Sequence, residues 1–142
     1  MSAAFYDTNI LLYAAMEQMR PQDMAKRPIA IALIAERRFA ISSQVMAEFY
    51  HNATKPSALQ LTPDAACEWL DQIATQKCVS VGPDTIWNGI SLSRRFNLSY
   101  WDGAIIAAAH EADADLLYTE DLNDGQRYGS VTAINPFKTL SS

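Results

Sequence analysis

The chain has 142 residues, 49% hydrophobic and 19% charged, with a net charge of −5; that is ordinary for one compact soluble domain long enough to bury a substantial core. No run approaches the apolar length of a membrane span, and the start Met1-Ser2-Ala3-Ala4-Phe5 lacks the basic flank and apolar run of a signal peptide. The acidic balance argues against a general nucleic-acid coat protein, and Cys67 and Cys78, outside any CxxC or zinc spacing, read as reduced core or semi-buried thiols of a cytoplasmic protein.

In chain order, Ala3 to Asp7 reads as an apolar strand running into an acid, followed by a short helix over Ile10 to Glu17. Pro21-Gln22-Asp23 interrupts the pattern, and a second helix runs from about Asp23 to Arg38 with Ile29, Leu33 and Ile34 at helical spacing. Phe39-Ala40-Ile41 is a strand, and Ser42-Ser43 offers caps for a helix through Glu48 to Ala53. Lys55-Pro56-Ser57 is a loop; Thr62-Pro63-Asp64 supplies cap, first-turn proline and first-turn acid for a helix to about Gln76. Lys77 to Val81 is a strand stopped by Gly82-Pro83. Asp84 to Phe96 and Tyr100 to Ala112 are helices separated by Asn97-Leu98-Ser99, and strands follow at Asp115 to Thr119 and Val131 to Ile134. Alternating helices and short apolar strands predict right-handed βαβ units: an α/β fold, a three-layer α/β/α sandwich around a central, mainly parallel sheet.

Two of those strands end in acids. Ala3-Ala4-Phe5-Tyr6-Asp7 and Leu116-Leu117-Tyr118-Thr119-Glu120-Asp121 place Asp7 and Asp121 on one rim of the sheet, beyond the strands' carboxyl ends, where ligands bind in such folds. Two carboxylates there repel unless a positive charge sits between them, and a divalent cation is the simplest candidate. Asp102 stands three residues after Ser99, in the first turn of its helix, where the macrodipole favours an anion, and shares a face with Ile105, Ile106 and Ala109. Glu48 neighbours Val45 and Phe49 on a helix facing the sheet, with no Lys or Arg three or four residues away. Thr8, Asn9 and Thr119 add neutral hydrogen-bonding groups, while Asp124 reaches the same cation from its loop or forms an Asx-turn. Setting Asp7, Glu48, Asp102, Asp121 and Asp124 aside leaves 11 acids against 11 Lys and Arg, so the excess charge is concentrated in this cluster.

Rival patterns fit less well. Aspartyl-phosphate chemistry wants a second aspartate where Asn9 stands. Glu48-Phe49-Tyr50-His51 has the E-x-x-H of di-iron carboxylate proteins but no second copy. The glycine of the Asp121 loop falls one position early for an EF-hand.

Tyr6-Asp7-Thr8-Asn9, Ala47-Glu48-Phe49, Tyr100-Trp101-Asp102 and Thr119-Glu120-Asp121-Leu122-Asn123-Asp124-Gly125, in that order, resemble a PIN-domain nuclease over essentially the whole chain, 1–142, as a single domain. The resemblance is to the VapC-type toxins of toxin–antitoxin pairs. It implies a cytoplasmic, Mg²⁺- or Mn²⁺-dependent endoribonuclease that is a homodimer, away from membranes, with a cognate antitoxin that occludes the site. On that reading Asp7 and Asp102 are the direct metal ligands, Glu48 and Asp121 complete the cluster directly or through water, and Asn9, Thr119 and Asp124 support them. Oxygen ligands suit such hard cations. Arg94, Arg95 and Arg127 are candidate phosphate contacts, and Tyr100, Trp101 and Tyr128 candidate base-stacking rings. The alternative is a PIN-like domain acting as a non-catalytic protein- or RNA-binding module.

Overall fold

A computed structural model describes residues 3–36, 38–57 and 60–140; Met1, Ser2 and Arg37, which entered the readings above, lie outside them. The strands are β1 (Ala4–Tyr6), β2 (Phe39–Ser42), β3 (Lys77–Val79), β4 (Leu116–Tyr118), β5 (Arg127–Tyr128) and β6 (Val131–Ile134). The helices are α1 (Thr8–Ala15), α2 (Lys26–Glu36), α3 (Ser43–Ala53), α4 (Pro63–Ile73), α5 (Pro83–Phe96) and α6 (Tyr100–Glu111). No helix among the described residues is long and apolar enough to cross a membrane.

The strands form one sheet in the order β3-β2-β1-β4-β6-β5, parallel throughout except for the β5–β6 pair. β1 and β2 are buried at every residue, as central strands covered on both faces must be. From β1 the chain steps to β2 and β3 in one direction, then returns over both to β4 on the other side of β1. With right-handed crossovers, the outward steps put their helices on one face and the return puts α5 and α6 on the other. The α/β/α sandwich is therefore the one expected. The chain order reverses between β1 and β4, so that is where a crevice opens beyond the strand ends.

Within that frame several local expectations shift. The helix after β1 starts at Thr8 because the Asp7 carboxylate takes the Thr8 N–H at 2.7 Å, capping it without a spacer. The second helix begins at Lys26, behind a short 3-10 turn at Pro21–Asp23. α4 ends at Ile73 and β3 at Val79, both short of the expected bounds. β5 was not expected: it is two residues long and antiparallel, joined to β6 through Gly129-Ser130 with Gly129 at φ +67, a conformation only glycine adopts freely.

Cys67 and Cys78 are both free and exposed, not core or semi-buried. Cys78 lies on the edge strand β3, where only Val79 turns inward, and Cys67 lies on α4 beyond the buried Ala66.

Candidate functional site

β1 delivers Asp7 to the crevice. Its backbone N–H donates to the Tyr118 carbonyl at 3.0 Å, which carries the β1–β4 ladder one residue past the strands and sets Asp7 beside Thr119. Thr119 then ties the two strand-end acids together. Its hydroxyl donates to Asp7 Oδ2 at 2.7 Å, and the same oxygen accepts the Asp121 N–H at 3.1 Å. Asp7 and Thr119 are both buried.

Glu48 arrives from α3, which starts where Ser42 at the end of β2 accepts the Val45 N–H at 3.2 Å. Glu48 Oε2 accepts from the Thr8 hydroxyl at 2.8 Å and Oε1 from the Gln44 amide at 2.9 Å. Both donors are neutral, so the carboxylate is held in place with its charge uncompensated. Asp102 arrives from α6, where the Ser99 hydroxyl accepts the Asp102 N–H at 3.1 Å as the sequence spacing predicts. Gly103 lets α6 press directly on α5. A Cβ there would collide with the Gly89 carbonyl and lie 2.8 Å from the Ser93 nitrogen. Asp121 sits on an exposed loop, and its Oδ2 accepts from the Asn9 amide at 3.3 Å.

Asp7, Glu48, Asp102 and Asp121 line a single cavity of about 100 Å³, with Trp101 at its wall and no Lys or Arg among its described lining residues. The electrostatics follow. Burial raises the Asp7 carboxyl most; hydrogen bonds from Thr119 and Thr8 hold it down; the charges of Asp121 and Glu48 raise it again, and it ends at about 6. Asp121 is pushed up by desolvation of its carboxyl and then by Glu120, Asp102 and Glu48. Four acids without a cation are a costly arrangement, and one that a bound cation would relieve.

The donors suit a hard cation. Every candidate ligand atom is oxygen, and Asn9 Oδ1 beside them is buried without a hydrogen-bond partner, an acceptor that a cation or its water would satisfy. Among the described residues no three His, Cys, Asp or Glu side chains already converge so as to hold a metal ion. Mg²⁺ does not require that, because it commonly takes one or two carboxylates and keeps several waters.

The remaining candidates fall elsewhere. Asp124 is turned to structure: its Oδ1 accepts the Asn135 N–H at 2.8 Å and its Oδ2 pairs with Lys138 at 3.3 Å, which together hold its carboxyl below the ordinary value. It does not line the cavity. Arg94 and Arg95 are exposed in the last turn of α5 and Arg127 is exposed on β5, all outside the cavity wall. Tyr128 is buried edge-on against Phe96 and has no face to offer, while Tyr100 and Trp101 do line the cavity.

Two supports had no reading from the sequence. Gln44 precedes Glu48 by four residues, a helical spacing that signals the pair in retrospect. Lys26 bonds Glu120 Oε2 at 2.9 Å and Tyr13 at 3.2 Å, and the Tyr13 hydroxyl also donates to Glu120. This network pins the residue before Asp121 from 94 positions away, a distance no local pattern spans.

Comparison with known families matches residues 4–127 to the PIN domain. A solved structure titled as a toxin–antitoxin complex from Klebsiella pneumoniae superposes with a TM-score of 0.64 at 21% identity, covering 95% of this chain and 98% of that one. Mycobacterium tuberculosis VapC20, described as a toxin that cleaves the sarcin-ricin loop, superposes with a TM-score of 0.65 at 16% identity over 92% of this chain and 99% of its own. VapBC2 from Rickettsia felis, solved bound to a promoter DNA fragment, gives 0.58 at 17% identity over 92% and 96%. At these identities the likeness is one of fold. Comparison with curated proteins finds no match.

Proposed function

The chain belongs to the PIN-domain family, and from that premise we propose that it is a divalent-metal-dependent endoribonuclease, the VapC-type toxin of a toxin–antitoxin pair. One observation carries the reading: four acids from β1, α3, α6 and the loop after β4 line one small cavity at the point where the strand order reverses. Asp7 and Asp102 would hold Mg²⁺ or Mn²⁺ directly, with Glu48 and Asp121 completing the set directly or through water and Asn9 beside them. Bound there, the cation would acidify a water and neutralise charge building on the phosphate.

The chain's own groups do the rest. Thr119 and the Thr8 N–H fix both oxygens of Asp7, so the ligand is oriented before substrate arrives. Each Glu48 oxygen spends one lone pair on Thr8 or Gln44 and keeps another to accept a proton from the attacking water. Arg94, Arg95 and Arg127, exposed outside the cavity wall, are assigned as the phosphate contacts in this reading. The partners in this reading are RNA, a cognate antitoxin and a second copy of the chain. The protein would act in the cytoplasm as one PIN domain over residues 1–142.

The test is incubation of the purified protein with RNA in Mg²⁺ and in EDTA, alongside Asp7→Asn and Asp102→Asn. Cleavage that needs the metal and vanishes in both folded variants supports the proposal. Equal cleavage by the variants overturns the site, and no cleavage in any metal leaves the non-catalytic binding module as the function.

A further inference from the structure

Trp101 is 62% exposed yet lines the same cavity as Asp102. Tyr100 meets it edge-on, with ring centroids 5.0 Å apart at 70°. The first turn of α6 that carries both is capped by Ser99 and seated on α5 at Gly103, so the indole stands on a rigid base. An indole left largely in water forgoes the burial that such rings usually gain. The cavity beside it has no Lys or Arg among its described lining residues, so a polyanionic strand finds no fixed cation on that wall. An aromatic face holds a base by stacking, which needs no charge and tolerates any base.

We propose that Trp101, backed by Tyr100, is the platform on which one unpaired base stacks while its phosphate enters the acid cavity. This rests on the nuclease reading above and assigns to Trp101 the contact that holds a base of the substrate beside the acids. A base within a continuous duplex has both faces covered by its neighbours and none left for the indole. Trp87, 67% exposed on α5 but not on the cavity wall, supplies the internal comparison.

The experiment measures Mg²⁺-dependent cleavage of a single-stranded oligoribonucleotide whose cleaved bond has been mapped, and of copies with an abasic ribose on either side of that bond. Wild type, Trp101→Ala, Trp101→Phe and Trp87→Ala are compared, each checked by gel filtration. Trp101→Ala is expected to raise KM about ten- to a hundredfold, with kcat within about threefold of wild type. Trp101→Phe should recover most of the loss and Trp87→Ala should match wild type. One abasic substrate should show the same KM increase with wild type, and no further increase with Trp101→Ala. A KM indifferent to Trp101, a loss equal on intact and abasic substrates, or a loss that follows a change of oligomeric state overturns the platform while leaving the nuclease intact. Absence of cleavage by wild type overturns the nuclease reading, and the platform with it.

Discussion

Asn in place of Asp7 removes a charge that the fold holds at a cost. The carboxyl ordinarily titrates at 3.8; burial raises it, Thr119 and Thr8 hold it down, the charges of Asp121 and Glu48 raise it, and it stands at about 6. Between those values the folded chain keeps a proton that the unfolded chain has released. Stability therefore falls as pH rises through that interval, and the full cost stands above pH 6. At 1.36 kcal/mol per pKa unit the cost is roughly 3 kcal/mol. A neutral amide escapes it and still accepts the Thr8 N–H, but gives up the bond from Thr119, which returns about 1 kcal/mol. In EDTA at pH 7.5, Asp7→Asn is expected to be more stable than wild type by roughly 2 kcal/mol, a Tm higher by about 5–10 °C for a chain of this size. Most of the gain disappears by pH 4, where the wild-type carboxyl is also protonated. Mg²⁺ should raise the Tm of wild type and leave the variant unmoved. Thermal melts from pH 4 to 8, with EDTA and with Mg²⁺, measure all three effects. A variant no more stable than wild type at pH 7.5, or equally advantaged at pH 4, refutes the reasoning.

Thr119→Val removes the donor to Asp7 and the acceptor for the Asp121 N–H. It should cost about 1–3 kcal/mol and move Asp7 titration above about 6, read by carboxyl NMR; an unchanged titration would show the bond to be unimportant. Lys26→Met strips Glu120 of its ammonium partner in a site where both side chains are 22% exposed. The loss should be about 1–3 kcal/mol in urea titrations; an unchanged midpoint would show that the network adds nothing to stability. Gly103→Ala places a methyl against the α5 backbone and should cost about 1–3 kcal/mol of stability, with cleavage falling as Asp102 shifts; wild-type melting and activity together would contradict that seat.

What could be read in advance was what short spacings encode. Apolar strands running into Asp7 and Asp121, and the Ser99–Asp102 cap, predict backbone geometry directly, and the sheet order follows from alternating elements and handed crossovers. Burial at edges was harder. Cys78 looks apolar, but β3 closes one side of the sheet and leaves it in solvent. Arg127-Tyr128 is too short to announce a strand, and Tyr128 is buried by Phe96, 32 residues away in sequence. The partners of Glu48 and Glu120 depend on which helix faces which loop, so Thr8 and Lys26 meet them only after the sheet has formed. Asp124, read as a ligand or an Asx-turn, accepts instead the N–H of Asn135, 11 residues on, a partner that no local spacing gives.

In the proposed site, acids that otherwise repel are held together by a bound divalent cation. Calorimetric titration of Mn²⁺ into the metal-free protein at pH 7.5, with Asp7→Asn and Asp102→Asn titrated in parallel, measures that directly. The expected result is saturable binding by wild type, with little proton release because Asp7 is already ionised well above about 6, and its loss in both variants with their folds intact. Binding of equal strength in all three proteins, or none in wild type, would contradict it.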